Sequence, residues 1–223
     1  MNNLLYKNVF WLFMLGNVLG VLVEGFWCLL WKGEWETHTV AMWGPFNIVY
    51  GIGLPVFYIG SILLDGARWA RKFSVNAIIG SLVEYICGLF IRIGIRMKAW
   101  DYSGHFMNIQ GIISLKMAFL WGLVGTGYNM FLHSPVEKLL SLINGTFWDL
   151  AGLGLAIFMI LNLTLTAACI IRWSNRHFGK SASSQLSRWL DEKYPDSIMQ
   201  EKFFYWSFIE EGSADNVPVR SAE

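Results

Sequence analysis

Charged residues are scarce in this sequence. Asp, Glu, Lys and Arg make up 15% of the 223 residues, and their charges nearly cancel to a formal net charge of +1. A nearly neutral chain has no basic surface that would attract a polyanion, so the composition excludes nucleic acid as a partner. A chain this poor in charge and rich in apolar residues is typical of a protein whose main partner is the lipid bilayer.

Cysteine and histidine do not form the patterns of a disulfide framework or a metal site. The three cysteines are Cys28, Cys87 and Cys169. Because their number is odd and all lie inside apolar runs, we expect buried thiols and no disulfides. The four histidines are His38, His105, His133 and His177. They lie in separate loops or in the tail without the spacing of metal ligands, so the sequence predicts no metal and no cofactor.

Motifs for ATP hydrolysis are also missing. Gly179-Lys180-Ser181 resembles the end of a phosphate-binding loop, but Ser174 stands where that loop requires glycine. No nucleophile motif of a hydrolase is present either. These absences favour a protein that is not an enzyme, although they leave the question open. Any ATP hydrolysis must come from a separate ATPase subunit.

Long apolar runs dominate the sequence. Hydrophobic residues make up 55% of the chain, and its mean hydropathy is +0.43. About 20 apolar residues in a helix cross a hydrocarbon core of about 30 Å. The predicted spans are residues 9–31, 45–64, 73–95, 108–132 and 145–171. The sequence therefore predicts an all-α, multi-pass membrane helix bundle over residues 1–171, with Gly51, Gly53 and Pro55 breaking the second span.

The ends of the chain are predicted to lie on opposite sides of a cell membrane. Five spans put the first loop, the third loop and the C-terminal tail on one side, and more Lys and Arg lie on that side. The positive-inside rule then places the N-terminus outside and the tail in the cytoplasm. Residues 172–211 are predicted to form amphipathic helices on the membrane surface or on the bundle, and residues 212–223 a disordered end.

Two glutamates interrupt the apolar runs in matching surroundings. Gly20-Val-Leu-Val-Glu24 in the first span matches Gly80-Ser-Leu-Val-Glu84 in the third, and a cation follows each glutamate two turns later. The match predicts a two-helix unit repeated in one orientation, as in some transporters, plus a fifth helix. Because a glycine one turn away lets another helix approach the same face, we expect both carboxylates to point into the bundle.

These carboxylates and nearby polar residues are predicted to form a polar nest that opens to the cationic side. Its candidate residues for contact with a transported substrate are Glu24, Glu84, Tyr85, Arg92, Trp100, Asp101, Tyr102, Ser103, Asn108 and Lys116. An ionisable group at membrane depth is costly and usually has a function or a partner. The alternative is an ion-pair network that only stabilises the bundle, with Glu84 paired to Arg92 or Lys116.

Several short motifs occur in the order typical of one family. They are Gly44-Pro45, Tyr50-Gly51, Glu84-Tyr85, Trp100-Asp101-Tyr102-Ser103, Asn108, Gly111 and Trp121-Gly122. From about Gly16 to Gly125 the chain resembles the putative ABC-transporter type IV (CmpB-like) family of bacterial multi-pass membrane proteins. This resemblance implies a permease-like component in a bacterial cell membrane. Thr39 to Trp43 replace the Asn-Arg-Gly that the family commonly shows ahead of its Gly-Pro turn, so the role of that arginine is not carried over.

Three functions fit these features. The first is a transport component that moves a small substrate through the polar nest, with a separate ATPase subunit or further copies of itself as partners. The second is a membrane-embedded enzyme acting on a lipid or isoprenoid, with Glu24 or Glu84 as general base and Asp101 in support. The third is a non-catalytic assembly or regulatory protein whose aromatic tail docks a partner. The family resemblance favours the transport component.

Overall fold

Helices occupy all five apolar runs. The computed structural model describes residues 2–210. Its first six α-helices are α1 (Asn2–Lys32), α2 (Ile48–Leu63), α3 (Trp69–Ile95), α4 (Leu115–Gly127), α5 (His133–Ser141) and α6 (Thr146–His177). A π-helical turn, Tyr128–Leu132, joins α4 to α5. Segments long and apolar enough to cross a membrane are Tyr6–Lys32, Trp69–Ile95 and Thr146–His177, whereas α2 is shorter. The predicted all-α bundle of apolar helices is confirmed, and the extent of the membrane domain over residues 1–171 stays a prediction.

The fourth helix begins later than the sequence predicts. Ser114 is the N-cap of α4, with an extended backbone (φ −145°) and a side chain that accepts a hydrogen bond from the Met117 N–H. A serine oxygen satisfies one of the free N–H groups of a first helical turn, which fixes the start of the helix there. The residues between α3 and Ser114 form a structured loop, so the predicted start at residue 108 is too early.

The second helix is not broken at its glycines and proline. Pro55 lies inside α2, which continues through it. Gly51 serves close packing, since a Cβ at this position would lie 2.0 Å from the amide nitrogen of the Asn17 side chain. The predicted break at Gly51, Gly53 and Pro55 is therefore wrong. Gly51 allows α1 to approach α2 closely, and α2 stays helical through all three residues.

Helices α1 to α4 form two helical hairpins. Helix α1 packs mainly along α2, and α3 packs mainly along α4. Each hairpin has a long loop after its first helix, residues 33–47 in one and residues 96–114 in the other. This arrangement agrees with the two-helix repeat that the matching glutamates predict. Helix α6 corresponds to the fifth predicted span, and the short α5 lies between the second hairpin and α6.

The C-terminal segment folds back onto one end of this bundle. Its elements are α7 (Gln185–Lys193), α8 (Asp196–Lys202) and β2 (Ser207–Phe208), and β2 pairs antiparallel with β1 (Met97–Lys98). Arg172 of α6 donates two hydrogen bonds of 2.7 Å to Asp191 of α7. These guanidinium hydrogen bonds hold the pKa of Asp191 at about 2. The predicted disordered end, residues 212–223, lies outside the described residues.

Apolar contacts fix the same segment against the bundle. The buried cluster consists of Met97, Ala99, Cys169, Ile170, Trp173, Leu190, Met199, Phe203 and Trp206. Its members come from the loop after α3, from the end of α6 and from the C-terminal elements. Burying this much apolar surface is the main force that keeps such a segment docked. The tail therefore lies on the bundle, which was one of its two predicted positions.

Candidate functional site

Glu24 lies near the end of α1 and is held from the following loop and from α2. The His38 ring nitrogen Nδ1 lies 2.8 Å from Glu24 Oε1, and the His38 backbone N–H donates to Glu24 Oε2 at 3.1 Å. The Tyr50 hydroxyl of α2 donates to Glu24 Oε1 at 3.1 Å. The hydrogen bond between the His38 ring and Glu24 raises the pKa of His38, against the opposing effect of burial. Glu24 and His38 therefore form an ion pair whenever the imidazole is protonated.

Glu84 occupies the equivalent position in α3 and is only 4% exposed. The Tyr102 hydroxyl donates to Glu84 Oε1 at 3.0 Å, and the Trp121 indole N–H donates to Glu84 Oε2 at 2.8 Å. Within residues 2–210, no cationic side chain forms an ion pair with it. Both donors are neutral, so neither supplies this carboxyl group with a counter-charge.

The two glutamates are held by the same pair of contacts, a packing contact and a hydrogen bond from one aromatic residue. A Cβ on Gly20 would lie 2.3 Å from the Tyr50 ring, and a Cβ on Gly80 would lie 2.6 Å from the Trp121 side chain. In each hairpin an aromatic side chain of the second helix lies on a glycine of the first helix. One turn later, its polar atom donates to the glutamate. The repeat that the sequence indicates is thus also a repeat of contacts.

Tyr102 is bound to Glu84 and also lies near enough to Glu24 to feel its charge. Burial raises the pKa of Tyr102, and the charges of Glu84 and Glu24 raise it further. Both carboxylates therefore lie within electrostatic range of this hydroxyl. We call the six residues brought together here the glutamate cluster, which consists of Glu24, His38, Tyr50, Glu84, Tyr102 and Trp121.

The predicted ion pair of Glu84 with Arg92 or Lys116 is not observed. Arg92 is buried, but its Nη1 donates to the backbone oxygen of Gln110 at 2.6 Å. Lys116 is exposed at the start of α4. Arg92 lies about 12 Å along the helix from Glu84 at a rise of 1.5 Å per residue, and the folded loop provides its partner instead.

The predicted aromatic and acidic motif after α3 forms the core of that loop. Asp101 accepts hydrogen bonds from the Ser103 backbone N–H at 2.9 Å, from the Ser103 hydroxyl, and from Lys98 Nζ at 2.8 Å. Burial acts to raise the pKa of Asp101, but these hydrogen bonds outweigh it and hold the pKa at about 2. The Trp100 indole donates to the Ile112 backbone oxygen at 2.8 Å. Asp101, Trp100 and Ser103 thus shape the loop that carries Tyr102.

Asn108 and Tyr85 are also structural parts of the loop. The Asn108 amide donates to the backbone oxygens of Ser103 and His105 and accepts from the Gly111 N–H. The Tyr85 hydroxyl donates to the Gln110 side chain at 3.0 Å. Of the predicted nest residues, the structure brings Glu24, Glu84 and Tyr102 together and places the other seven in the surrounding loop or outside the glutamate cluster.

The C-terminal segment forms a roof over the His38 side of the cluster. The His38 ring lies 4.4 Å from the Tyr205 ring and 5.9 Å from the Phe204 ring, measured between centroids. The Tyr205 hydroxyl donates to the Thr39 backbone oxygen. We call residues 203–206 the aromatic roof. The sequence reveals the aromatic character of this segment, but it does not reveal where the segment docks.

Three members of the glutamate cluster, Tyr50, Trp121 and His38, are not among the site residues predicted from the sequence. Trp121 and Tyr50 each occur as an aromatic residue followed by glycine, and that shared pattern is the signal that identifies them. His38 has no such signal, because its contact with Glu24 depends on the path of the loop. In the described part of the chain, no group of three or more His, Cys, Asp or Glu residues is placed to bind a metal ion.

Comparison with known proteins gives one match. A family model described as "Putative ABC-transporter type IV" matches residues 11–167. The matched part is longer than the resemblance seen in the sequence and includes Glu24, His38, Tyr50, Glu84, Tyr102 and Trp121, whereas the aromatic roof lies beyond it. No curated protein and no solved structure matches the chain.

Proposed function

The chain belongs to the putative ABC-transporter type IV family, and we propose that it is the membrane-embedded, permease-like component of a transport system. In this proposal the glutamate cluster is the place where a small substrate is bound during its passage. Apolar helices of membrane-spanning length are consistent with such a component.

The observation that carries the proposal is the environment of Glu84. The carboxylate is buried between two helices, and its described partners are the neutral Tyr102 hydroxyl and Trp121 indole. A buried charge without a counter-charge is costly, so a purely structural role would favour a cationic partner or an apolar residue at this position. A substrate that brings its own positive charge removes that cost while it is bound.

The cluster has the composition of a cation site. Glu24 and Glu84 supply negative charge, and the aromatic residues Tyr50, Tyr102 and Trp121 donate hydrogen bonds to them. Aromatic faces attract cations, and carboxylates accept their N–H donors. His38 is the only basic side chain of the cluster, and its protonation adjusts the net charge that a substrate meets.

Entry to the cluster requires movement of the loops that cover it. Tyr102 and His38 donate from these loops to the carboxylates, and the aromatic roof lies against His38. A cationic group of the substrate would take the place of the Tyr102 or His38 donor. Loop opening of this kind commonly gates access to a buried site.

Energy from ATP would have to be supplied by a separate subunit. Gly179-Lys180-Ser181 is not a phosphate-binding loop, because Ser174 stands where the first glycine of that loop is required. We therefore place a separate ATPase subunit among the partners of this component.

Rescue of a deletion strain tests the proposal. Plasmid-borne Glu24→Gln and Glu84→Gln keep the shape of each side chain but remove its charge. We expect each variant to lose rescue while its amount in the membrane stays near that of the wild type. Glu34→Gln, at an exposed position in the first loop, is the matched control and should rescue fully. Full rescue by both cluster variants would assign the two glutamates to the scaffold.

A further inference from the structure

A polar cavity lies at the end of the bundle opposite the glutamate cluster. Its volume is about 360 Å³, and its polar lining residues are Ser61, Asp65, Lys72, Asn129, His133 and Glu137. Ser61 lies in the last turn of α2, Lys72 in the first turn of α3, and His133 at the start of α5. Lys72 precedes Glu84 in α3 by about 18 Å at a rise of 1.5 Å per residue, so the cavity is separate from the glutamate cluster.

Hydrogen bonds fix three of the lining side chains. Ser61 Oγ lies 2.7 Å from His133 Nδ1, which holds the imidazole against the end of α2. The Asn129 amide donates to the Phe57 backbone oxygen at 3.3 Å and accepts from the Asn76 amide at 2.8 Å. Side chains that are already held in place lose little conformational freedom when a ligand binds, so this part of the cavity is preorganised.

Charged side chains of both signs line the cavity without pairing with one another. Within residues 2–210, Lys72 forms neither an ion pair nor a side-chain hydrogen bond, although Asp65 and Glu137 line the same space. Asp65 accepts a hydrogen bond from the N–H of Gly66, its neighbour in the turn after α2. Glu137 Oε1 lies 3.6 Å from His133 Nε2, which is too far for a hydrogen bond. A ligand that carries both an ammonium and an anionic group would give all three charges a partner.

The cavity lies at the level of lipid headgroups. Helix α3 is long and apolar enough to cross a membrane, and it begins at Trp69, whose side chain is exposed. Exposed tryptophan at the end of a span is typical of the membrane–water interface. Lys72 belongs to the same first turn of α3, and Asp65 to the turn that precedes this helix. Phosphate is the anionic group that phospholipids place at this level, so a headgroup with an additional ammonium matches the charges of the cavity.

We propose that this cavity binds a phosphoethanolamine group, either as the headgroup of a phospholipid or as a soluble phosphodiester. Lys72 binds the phosphate, and Asp65 and Glu137 accept hydrogen bonds from the ammonium. A primary ammonium has three N–H donors, which suits a site with two carboxylates. The site is distinct from the glutamate cluster and does not depend on the proposed transport function.

Three phospholipids separate the contributions of the two charges. Phosphatidylethanolamine has both the phosphate and an ammonium with N–H donors. Phosphatidylcholine keeps the positive charge but has no N–H donor, and phosphatidylglycerol keeps the phosphate but has no positive charge. The full-length protein is freed of lipid in detergent and titrated with each lipid, all with the same acyl chains, and bound lipid is counted by native mass spectrometry. We expect phosphatidylethanolamine to bind about tenfold more tightly than either of the others, because only it forms charge-assisted hydrogen bonds with the carboxylates.

Variants of the cavity assign each charge to its part of the headgroup. Glu137→Gln and Asp65→Asn should each reduce the preference for phosphatidylethanolamine over phosphatidylcholine, because each removes one anionic acceptor of the ammonium. Lys72→Gln should weaken the binding of both lipids by the same factor and leave the preference unchanged, because both contain the phosphate. The matched controls are Arg71→Gln, an exposed cation that does not line the cavity, and Glu192→Gln, an exposed acid of α7. Both controls should bind lipid as the wild type does.

Equal affinities of the wild type for phosphatidylethanolamine and phosphatidylcholine would overturn the proposal, as would a preference that both carboxylate variants keep in full. The two carboxylate variants are made separately, so one that fails to fold leaves the other to decide. Competition with soluble glycerophosphoethanolamine distinguishes the two sources of the group. Displacement of the bound lipid would identify a soluble ligand, and retention of the lipid would identify the phospholipid itself. Because the measurement is of binding, its result is independent of the rescue assay on Glu24→Gln and Glu84→Gln.

Discussion

The Trp121 indole N–H donates to Glu84 at 2.8 Å, and the same side chain lies on Gly80, one turn earlier in α3. One aromatic residue thus joins α4 to α3 by packing and by a polar contact. Tyr50 makes the corresponding contacts with Glu24 in the first hairpin. Because the two hairpins use the same device, changes to either partner should have parallel effects in both.

We predict that Gly80→Ala lowers the melting temperature of the protein in detergent. The added Cβ would lie 2.6 Å from the Trp121 side chain, so the hairpin must open or shift. Overpacking of this kind costs about 1–3 kcal/mol. Gly94→Ala in the same helix is the control, since nothing lies within 4 Å of its added Cβ. A Gly80→Ala protein that melts as high as Gly94→Ala would contradict the close packing of α3 on α4.

Removal of the indole donor tests the polar half of the same contact. Trp121→Phe keeps an aromatic ring on Gly80 but leaves the buried Glu84 with Tyr102 as its described donor. Loss of one partner from a buried polar group costs about 1–3 kcal/mol. The melting temperature should fall, and Trp69→Phe, at a residue 68% exposed, should leave it unchanged. Equal melting temperatures of the two variants would mean that the Trp121 N–H does not stabilise Glu84.

Local sequence patterns predict the helices, the repeat and the inward direction of both glutamates. Gly20 and Gly80 carry that information because they lie one turn from Glu24 and Glu84. The partners of the glutamates could not be predicted in the same way. Tyr102 reaches Glu84 through a loop whose turns use positive φ angles at Met107, Gln110 and Gly111.

The position of the tail depends on contacts between residues far apart in the chain. The antiparallel pairing of Met97 with Phe208 and the packing of Tyr205 on His38 join segments separated by most of the bundle. A periodic pattern shows only that such a segment has an apolar face. It does not specify which surface that face covers, so the sequence left the membrane surface and the bundle as alternatives.

The sidedness of the protein is open to a direct test. The β1–β2 pairing and the roof place the loops at 33–47 and 96–114 and the C-terminal segment at one end of the bundle. The positive-inside rule predicts that this end is cytoplasmic. Cysteines at Glu36 and His105 should then resist an impermeant reagent on intact cells, while a cysteine at Ser141, beyond the other end, should be labelled. Labelling of Glu36→Cys or His105→Cys on intact cells would contradict either the predicted orientation or the five-span topology.

The last prediction concerns the pH dependence of stability at the Glu24–His38 contact. The hydrogen bond to Glu24 raises the pKa of His38 in the folded protein above its unfolded value of about 6.5. The stabilisation by this pair is therefore fully present below the unfolded pKa and is lost as the pH rises through the folded pKa. His38→Gln should lower the melting temperature most at acidic pH and progressively less at alkaline pH, measured in detergent between about pH 5.5 and 8.5.

Glu24→Gln distinguishes this pair from the other charges near His38. Glu36 Oε1 also lies 3.1 Å from His38 Nε2, so it could maintain part of the effect without Glu24. We expect Glu24→Gln to remove most of the difference between acidic and alkaline melting temperatures, because the contact with Glu24 is the largest cause of the raised pKa of His38. Glu36→Gln should remove less of it. If Glu36→Gln removes more of this pH dependence than Glu24→Gln does, the charge that stabilises protonated His38 is that of Glu36 in the first loop, not that of Glu24.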